Sequence, residues 1–448
     1  MSLEVRYIPQ NYRTVYNPVE VVVYETSSTV RAYDGFAYLL DLKDGATLVG
    51  RLKVPPTTGG FGRFDLSGIM ESYLSSDIGA LNTSNIEGVS NNSNSWKSFT
   101  IELGYIHYNG GSPTVSIPRS FLLPGEEETV ESTTLIVFNG SLANYRRDIE
   151  NFYDWQATDY YKLYTDGTSA GVYDRKWLTH QPNYSANHKS NVSTQITDEG
   201  YTYFLYDHAT HPIDRYRVDE YNAAGTIISN AVIQKPAGVT DAHCKVAGYP
   251  STINDIAAAE LISGSQPIIS TSATSYSLVL MNGAVNQSER IYFNIDSVCR
   301  YETRRIEFLN SLGGFDYFNF TKVSRHSEEI ERKFFKTTPD DLSATGSIDY
   351  SIANREKVQY YTKSLPKMKL NSDWIGYETF NWLLELIESP EIYLIDSFTN
   401  DKTGAVSSRR IPVKNIVENW EEKRQDTDQL FNLEINLEFG MDNFRQRF

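Results

Sequence analysis

"RRIEFLNSLGGFDYFNF", Arg304 to Phe320, sets an apolar run, a bare Gly313-Gly314 pair and a second aromatic run end to end. Glycine enters backbone regions with positive φ without a Cβ penalty, so a Gly-Gly pair between runs rich in Ile, Phe and Tyr reads as a tight reversal joining two antiparallel strands. The expectation is a hairpin in which Ile306, Phe308, Phe315, Tyr317 and Phe320 return through one sheet. Nothing in the stretch is a nucleophile, a metal-ligand set or a phosphate cradle, so it specifies architecture and no chemistry.

The same strand grammar extends in both directions. "VEVVVYE" from Val19 is followed by "FAYLLDLKDGATLVGRLKVPP", in which Phe36, Tyr38, Leu40 and Leu42 share a face, Leu48, Leu52 and Val54 occupy a second strand, and Asp44-Gly45 is the turn between them. "SFTIELGYIHY" and "TTLIVFNG" continue the pattern, as do "YTYFLYD", "RYRVDEYNAAGTIISNAVI" and "SYSLVLMNGAVNQSERIYFNI", with "AGTI" and "MNGAVN" as hairpin ends. The closing "LFNLEINLEFG" alternates throughout, with Phe431, Leu433, Ile435, Leu437 and Phe439 on one side and Asn432, Glu434, Asn436 and Glu438 on the other. Short strands with turn residues at intervals are the signature of β-sandwiches.

Helices are the minority. Leu66, Ile69, Met70, Tyr73 and Leu74 recur at helical spacing behind Asp65 and Ser67 as N-caps. Leu142, Tyr145, Ile149 and Phe152 suggest a linker helix, and "SDWIGYETFNWLLELIESP" is the strongest helix, with Ser372 as N-cap, Tyr377, Phe380, Leu384 and Ile387 as its packed face, and Ser389-Pro390 as the stop. The Asn- and Ser-rich run from Asn82 to Asn94 reads as a mobile surface loop, and "TKVSRHSEEIERKFFKTT" as an exposed strand or loop. The fold expected is mainly β, several antiparallel sandwich-like domains in tandem with a few short helices. An N-terminal sandwich spans 1–145, a middle sandwich 146–296, and an α+β domain with the Gly-Gly hairpin 297–448.

At 448 residues the chain is long enough for several domains with cores of their own, and an aromatic content of 13% favours pleated, half-buried surfaces. A net charge of -16 argues against nucleic acid, whose binding needs clustered Lys and Arg; the pairs Arg146-Arg147, Arg304-Arg305 and Arg409-Arg410 read as ordinary surface charge. The opening MSLEVRYIPQ has no basic n-region or apolar core, and no apolar run is long enough to cross a bilayer, so the expectation is a soluble protein not exported by a cleaved signal. Cys244 and Cys299 match no zinc spacing and read as isolated thiols, with a disulfide between them left open.

Candidate chemistry is sparse. His208 and His211 form the nearest histidine pair, but no third ligand is placed by spacing, and His243 beside Cys244 has no assignable base or elbow motif. Glu126, Glu127 and Glu128 read as a solvated charge run, Tyr160-Tyr161 and Tyr360-Tyr361 as strand residues before sugar platforms, and Gly59-Gly60 and Gly110-Gly111 as turns rather than phosphate loops. The sequons at Asn139 and Asn191 are expected by chance in so Asn-, Ser- and Thr-rich a chain. No catalytic, cofactor-binding or metal-ligating residue is assigned, and no cofactor.

Three segments carry a resemblance. "LVGRLKVPPTTGGFGRFDLSGIMESYLS", "RRIEFLNSLGGFDYFNFTKVSRHSEEIERKFF" and "SPEIYLID" before "DQLFNLEINLEFG" resemble virion structural proteins of tailed phages infecting Bacteroidota, including crAss-like phages. The middle of the chain matches only in the general run of strands around "GYTYFLYD". The resemblance implies a non-enzymatic subunit of a tail hub, ring or baseplate, made in the host cytoplasm and located in the virion tail or neck. It would contact itself in a ring-like homo-oligomer and other virion proteins, and it transfers no site residue. The rival from another class is a carbohydrate-binding or glycan-degrading β-sandwich such as a phage adhesin, in which Tyr and Trp rings would form the ligand face.

Overall fold

A computed structural model describes residues 3–9, 11–109, 111–123, 129–141, 175–183, 192–206, 212–296, 301–337, 340–342, 344–350, 356–399, 401, 406–416, 430–441 and 443–444. The Gly-Gly reversal is present: strands Arg304–Leu309 and Phe315–Phe320 flank a turn in which Asn310 accepts, through Oδ1, from the backbone N–H groups of Leu312 and Gly314 at 3.0 Å each. Gly313 has φ +85, and a Cβ there would lie 1.6 Å from the backbone oxygen of Asn139, so conformation and space both require glycine.

The fold is mainly β, built from several sheets with short helices between them. The chain divides into two compact units, the first Met1–Ser190, Thr194–Asp296 and Leu309–Asp316, the second Asn191–Ser193, Ser297–Phe308 and Tyr317–Phe448. The first unit opens with a sandwich. One layer orders strands Thr129–Val130, Phe121–Leu122, Leu3–Tyr7, Glu20–Glu25 and Phe61–Asp65; the other orders Asn11–Thr14, Thr133–Phe138, Trp96–Asn109, Ala37–Asp44 and Thr47–Val54. Val21 and Val23 from the first layer share a core with Tyr38, Leu40, Leu42, Phe99 and Ile101 from the second. Most neighbours are antiparallel, but Leu3–Tyr7 pairs with Phe121–Leu122, and Thr133–Phe138 with Asn11–Thr14, in parallel.

The second layer corrects one register expectation. Phe36, Tyr38, Leu40 and Leu42 are buried as expected, yet Leu48 is 48% exposed. A bulge shifts the pairing from Leu42↔Gly50 to Lys43↔Leu48, and past it Val49 rather than Leu48 packs on the core with Leu52 and Val54.

The segment from Asn82 to Asn94, expected as a mobile loop, is tied into the fold. Strand Val89–Asn91 pairs with His243–Ala247, which pairs in turn with Tyr201–Leu205, and Val89 and Asn92 are buried. This three-stranded sheet uses residues from both of the first two expected domains, and both fall within the first unit. The expected boundary at 145/146 and the linker helix from Leu142 to Phe152 lie outside the described residues. The remaining sheet of this unit is antiparallel, centred on Ile291–Ile295, Ser275–Asn282, Arg215–Tyr221 and Ile227–Gln234. Asp219 is fully buried in it and held by the guanidinium groups of Arg217 (2.6 Å) and Arg290.

The second unit is organised on an eight-stranded sheet, seven strands of which run in the order Phe315–Phe320, Arg304–Leu309, Ile392–Thr399, Val406–Asn415, Leu430–Phe439, Lys357–Gly376, Arg325–Lys336, while the eighth, Asn443–Phe444, pairs with Lys357–Gly376. The alternation of the C-terminal strand is realised, with Phe431, Leu433, Ile435 and Leu437 buried. Buried Glu307 accepts from Tyr317 Oη at 2.7 Å and from the Arg410 guanidinium, so its charge is compensated where it is dry. The helix is shorter and rotated relative to expectation. It spans Tyr377–Glu388 with Gly376 at its N-cap, and its buried residues are Thr379, Phe380, Trp382, Leu383 and Leu386, while Tyr377 is 50% exposed. Ser372 is still in a strand, where its hydroxyl accepts from the Leu433 N–H at 2.9 Å instead of capping a helix. The earlier helix, Ser67–Glu71, starts after Asp65, whose carboxylate accepts from the Ser67 N–H at 3.0 Å, and Tyr73 beyond it is 43% exposed with its ring edge-on to Phe99.

Candidate interaction surface

The segment "RHSEEIERKFFK" is a strand, Arg325–Lys336, in which every residue is exposed. It pairs antiparallel with the first two thirds of Lys357–Gly376, from Arg325↔Lys369 to Lys336↔Lys357, with a bulge at Tyr360. The core reaches Met368, which is buried, and toward the other end of the pairing Lys357 and Tyr360 are exposed and Tyr361 half-buried. At about 3.3 Å per residue the paired strand extends roughly 40 Å. A further pair, Asp340–Leu342 with Ile348–Tyr350, continues the chain beyond it. On its other side Lys357–Gly376 pairs with Asn443–Phe444 at Lys363–Ser364 and with Leu430–Phe439 from Lys367 on, so among the described residues the arm is a two-stranded ribbon toward Lys357, and such a ribbon is marginal in water by itself.

What the arm displays is mixed. Phe334 is 54% exposed, Phe335 49%, Ile330 44% and, further out, Ile348 69%. Between them run charges: Lys367 Nζ meets Glu329 at 2.5 Å and holds its carboxyl below the usual range, Lys333 lies 3.4 Å from Glu331 and 4.9 Å above the Tyr361 ring, and the Ser364 hydroxyl donates to Glu328 at 2.8 Å. Among the described residues Arg325–Lys336 is the last strand of its sheet, and its outer backbone N–H and C=O groups have no ladder partner there. Such an edge is a template for another strand, and interspersed charge limits which strand it accepts.

Among the described residues, those weighed for chemistry assemble into no site. His208, His211, Cys299, Glu126, Glu127, Glu128, Tyr160, Tyr161 and Asn191 lie outside the described residues. Among the described residues no group of three or more His, Cys, Asp and Glu side chains is placed to hold a metal ion, and no helix is long and apolar enough to cross a membrane. Gly60 is in the left-handed region at φ +83, in the turn before strand Phe61–Asp65. Cys244 is buried, its thiol donates to the Asp241 carbonyl at 3.2 Å, and burial pushes its pKa up, away from any nucleophilic role.

His243 is strongly perturbed, with a consequence for stability. Fully buried, it has its pKa pushed down to about 3 by desolvation first and by the Lys245 charge second. The Asn92 amide, turned with its oxygen to the ring, accepts from His243 Nδ1–H at 2.6 Å, while Nε2 is buried without a partner. Protonation would place a second N–H, and a charge, where nothing accepts it. The folded pKa lies below the unfolded value of 6.5, so below pH 6.5 the unfolded chain binds the proton first. Stability from this group is complete above pH 6.5 and falls by about 1.4 kcal/mol per pH unit until about pH 3. Urea midpoints from pH 7 to pH 4 are expected to fall more steeply for the parent than for H243Q; parallel profiles would remove His243 as the cause.

The chain matches no protein-family model and no curated protein. Among solved structures it is similar to the FN1–FN3 domains of chicken CNTN1, at 7% identity over 66% of this chain and 65% of that one, which is less than two thirds of that chain, with a TM-score of 0.17. A likeness at that score carries no argument about this chain.

Proposed function

We propose that the chain is a structural subunit of a tailed-phage virion, in the tail or neck, working through contacts with further copies of itself and with other virion proteins and performing no catalytic step. The observation that supports this reading most is the arm: a strand of the second unit that lies wholly outside the core yet carries Ile330, Phe334 and Phe335 on its surface. Pairing with another chain would give an edge of that kind an apolar layer and ladder hydrogen bonds. The resemblance of the three sequence segments to virion proteins of Bacteroidota phages points the same way, and tail components organised about one axis meet neighbours on two faces.

One observation favours an adhesin instead. Trp374 and Tyr377 are half-exposed near the helix start, and exposed rings suit sugar stacking. The two readings separate experimentally. Mass spectrometry of gradient-purified particles is expected to find the chain in stoichiometric amount with tail proteins, and a glycan array is expected to show no binding. Absence from particles together with saturable glycan binding would reverse the assignment.

A further inference from the structure

The outer edge of Arg325–Lys336 has a charge order that selects its own copy. A closed antiparallel pair of identical strands has its two-fold axis normal to the sheet, so each residue faces one an even number of positions away, on the same face. With the axis at Arg332, Glu331 faces Lys333 and Glu328 faces Lys336, each pair formed twice, while Ile330 faces Phe334, also twice. The single like-charge contact is Arg332 with its own copy, between the apolar residues at 330 and 334. Moving the axis to Ile330 sets Glu329 against Glu331, cancelling the pairing of Glu328 with Arg332; moving it to Glu331 puts that carboxylate against itself and leaves Glu329–Lys333 as the sole opposite-charge pair. Opposite-charge and apolar cross-strand pairs each favour a register, and like charges directly opposite disfavour it.

We propose that a second copy of this chain docks along the open edge of Arg325–Lys336, antiparallel and centred on Arg332, so that two eight-stranded sheets join into one across a two-fold axis. The inference concerns the free chain and does not rest on the virion reading. The same charges that keep the edge from unspecific strand addition give it one favoured partner. The contact is small and ionic, so it weakens with salt.

Sedimentation equilibrium of the purified chain at low ionic strength is expected to show a species of twice the 50.9 kDa chain mass, lost progressively as salt is raised. K333E/K336E and E328K/E331K are each expected to sediment as monomers with unchanged circular dichroism, because these positions are exposed and contribute no core. Mixed at equal concentration, the acidic and basic arms are expected to restore the dimer, since the pairs 328/336 and 331/333 then carry opposite charge in both copies and the Arg332 contact is unchanged from the parent. The register is read by cysteine: opposed residues have Cα atoms about 4.5–5.5 Å apart, within disulfide span, so R332C is expected to cross-link to itself under mild oxidation and H326C is not. A monomeric parent, a dimer untouched by K333E/K336E, failure of the mixed variants to associate, or cross-linking at 326 rather than 332 would each overturn the proposal.

Discussion

Replacing Leu383 by Asp is expected to unfold the second unit or to bring it close to unfolding. Leu383 is fully buried on the helix Tyr377–Glu388, in a core that also holds Phe308, Phe318, Trp382, Leu386 and Ile435. The change removes a packed side chain, which costs about 2–5 kcal/mol in comparable cores, and adds a carboxylate with no cation among those neighbours. Against a total stability of about 5–15 kcal/mol this is a large fraction, equivalent to a fall in melting temperature of about 10 °C or more. Leu384, one position on, is only partly buried, so L384D is expected to cost less. A calorimetric scan that shows equal losses for the two variants would place the helix face wrongly.

Gly313→Ala is the second large effect. At φ +85 an L-residue is strained by about 1–2 kcal/mol, and the new Cβ would sit 1.6 Å from the Asn139 carbonyl oxygen, a backbone atom that cannot rotate away. The turn must therefore move, and with it the hydrogen bonds that Asn310 makes to Leu312 and Gly314. A loss of about 3 kcal/mol or more is expected. Gly45 is the control. It has φ +57 but nothing within 4 Å of a built Cβ, so G45A should cost about 1 kcal/mol from backbone strain alone. Urea midpoints that do not separate the two variants would show that space at Gly313 is not the constraint.

What could be read from the sequence, and what could not, follows from the range of the interactions involved. Strand alternation is a local property with period two, and "LFNLEINLEFG" and the run from Phe36 to Leu42 place their apolar residues inward as read. The Gly-Gly reversal was legible for the same reason. The exposure of Leu48 was not, because a bulge depends on the partner strand and reverses every face beyond it. Val89–Asn91 hid in an Asn/Ser-rich run because its strand character comes from pairing with Cys244–Val246, some 150 residues on. The helix started late because Trp374 and Ile375 are claimed by a ladder with Asn432 and Phe431, which outweighs the capping preference of Ser372. For the arm, composition indicated exposure, but its position as the last strand of a sheet is a matter of topology. That position, rather than any residue type, makes it the candidate surface.

Cryo-electron microscopy of the intact particle shows both whether the chain is present and what covers Arg325–Lys336. Density for the chain is expected in the tail or neck, with the arm buried against a neighbouring chain and its outer backbone edge paired. A particle whose tail and neck hold no density for the chain, or one in which the arm stands free in solvent on every copy, would contradict that expectation.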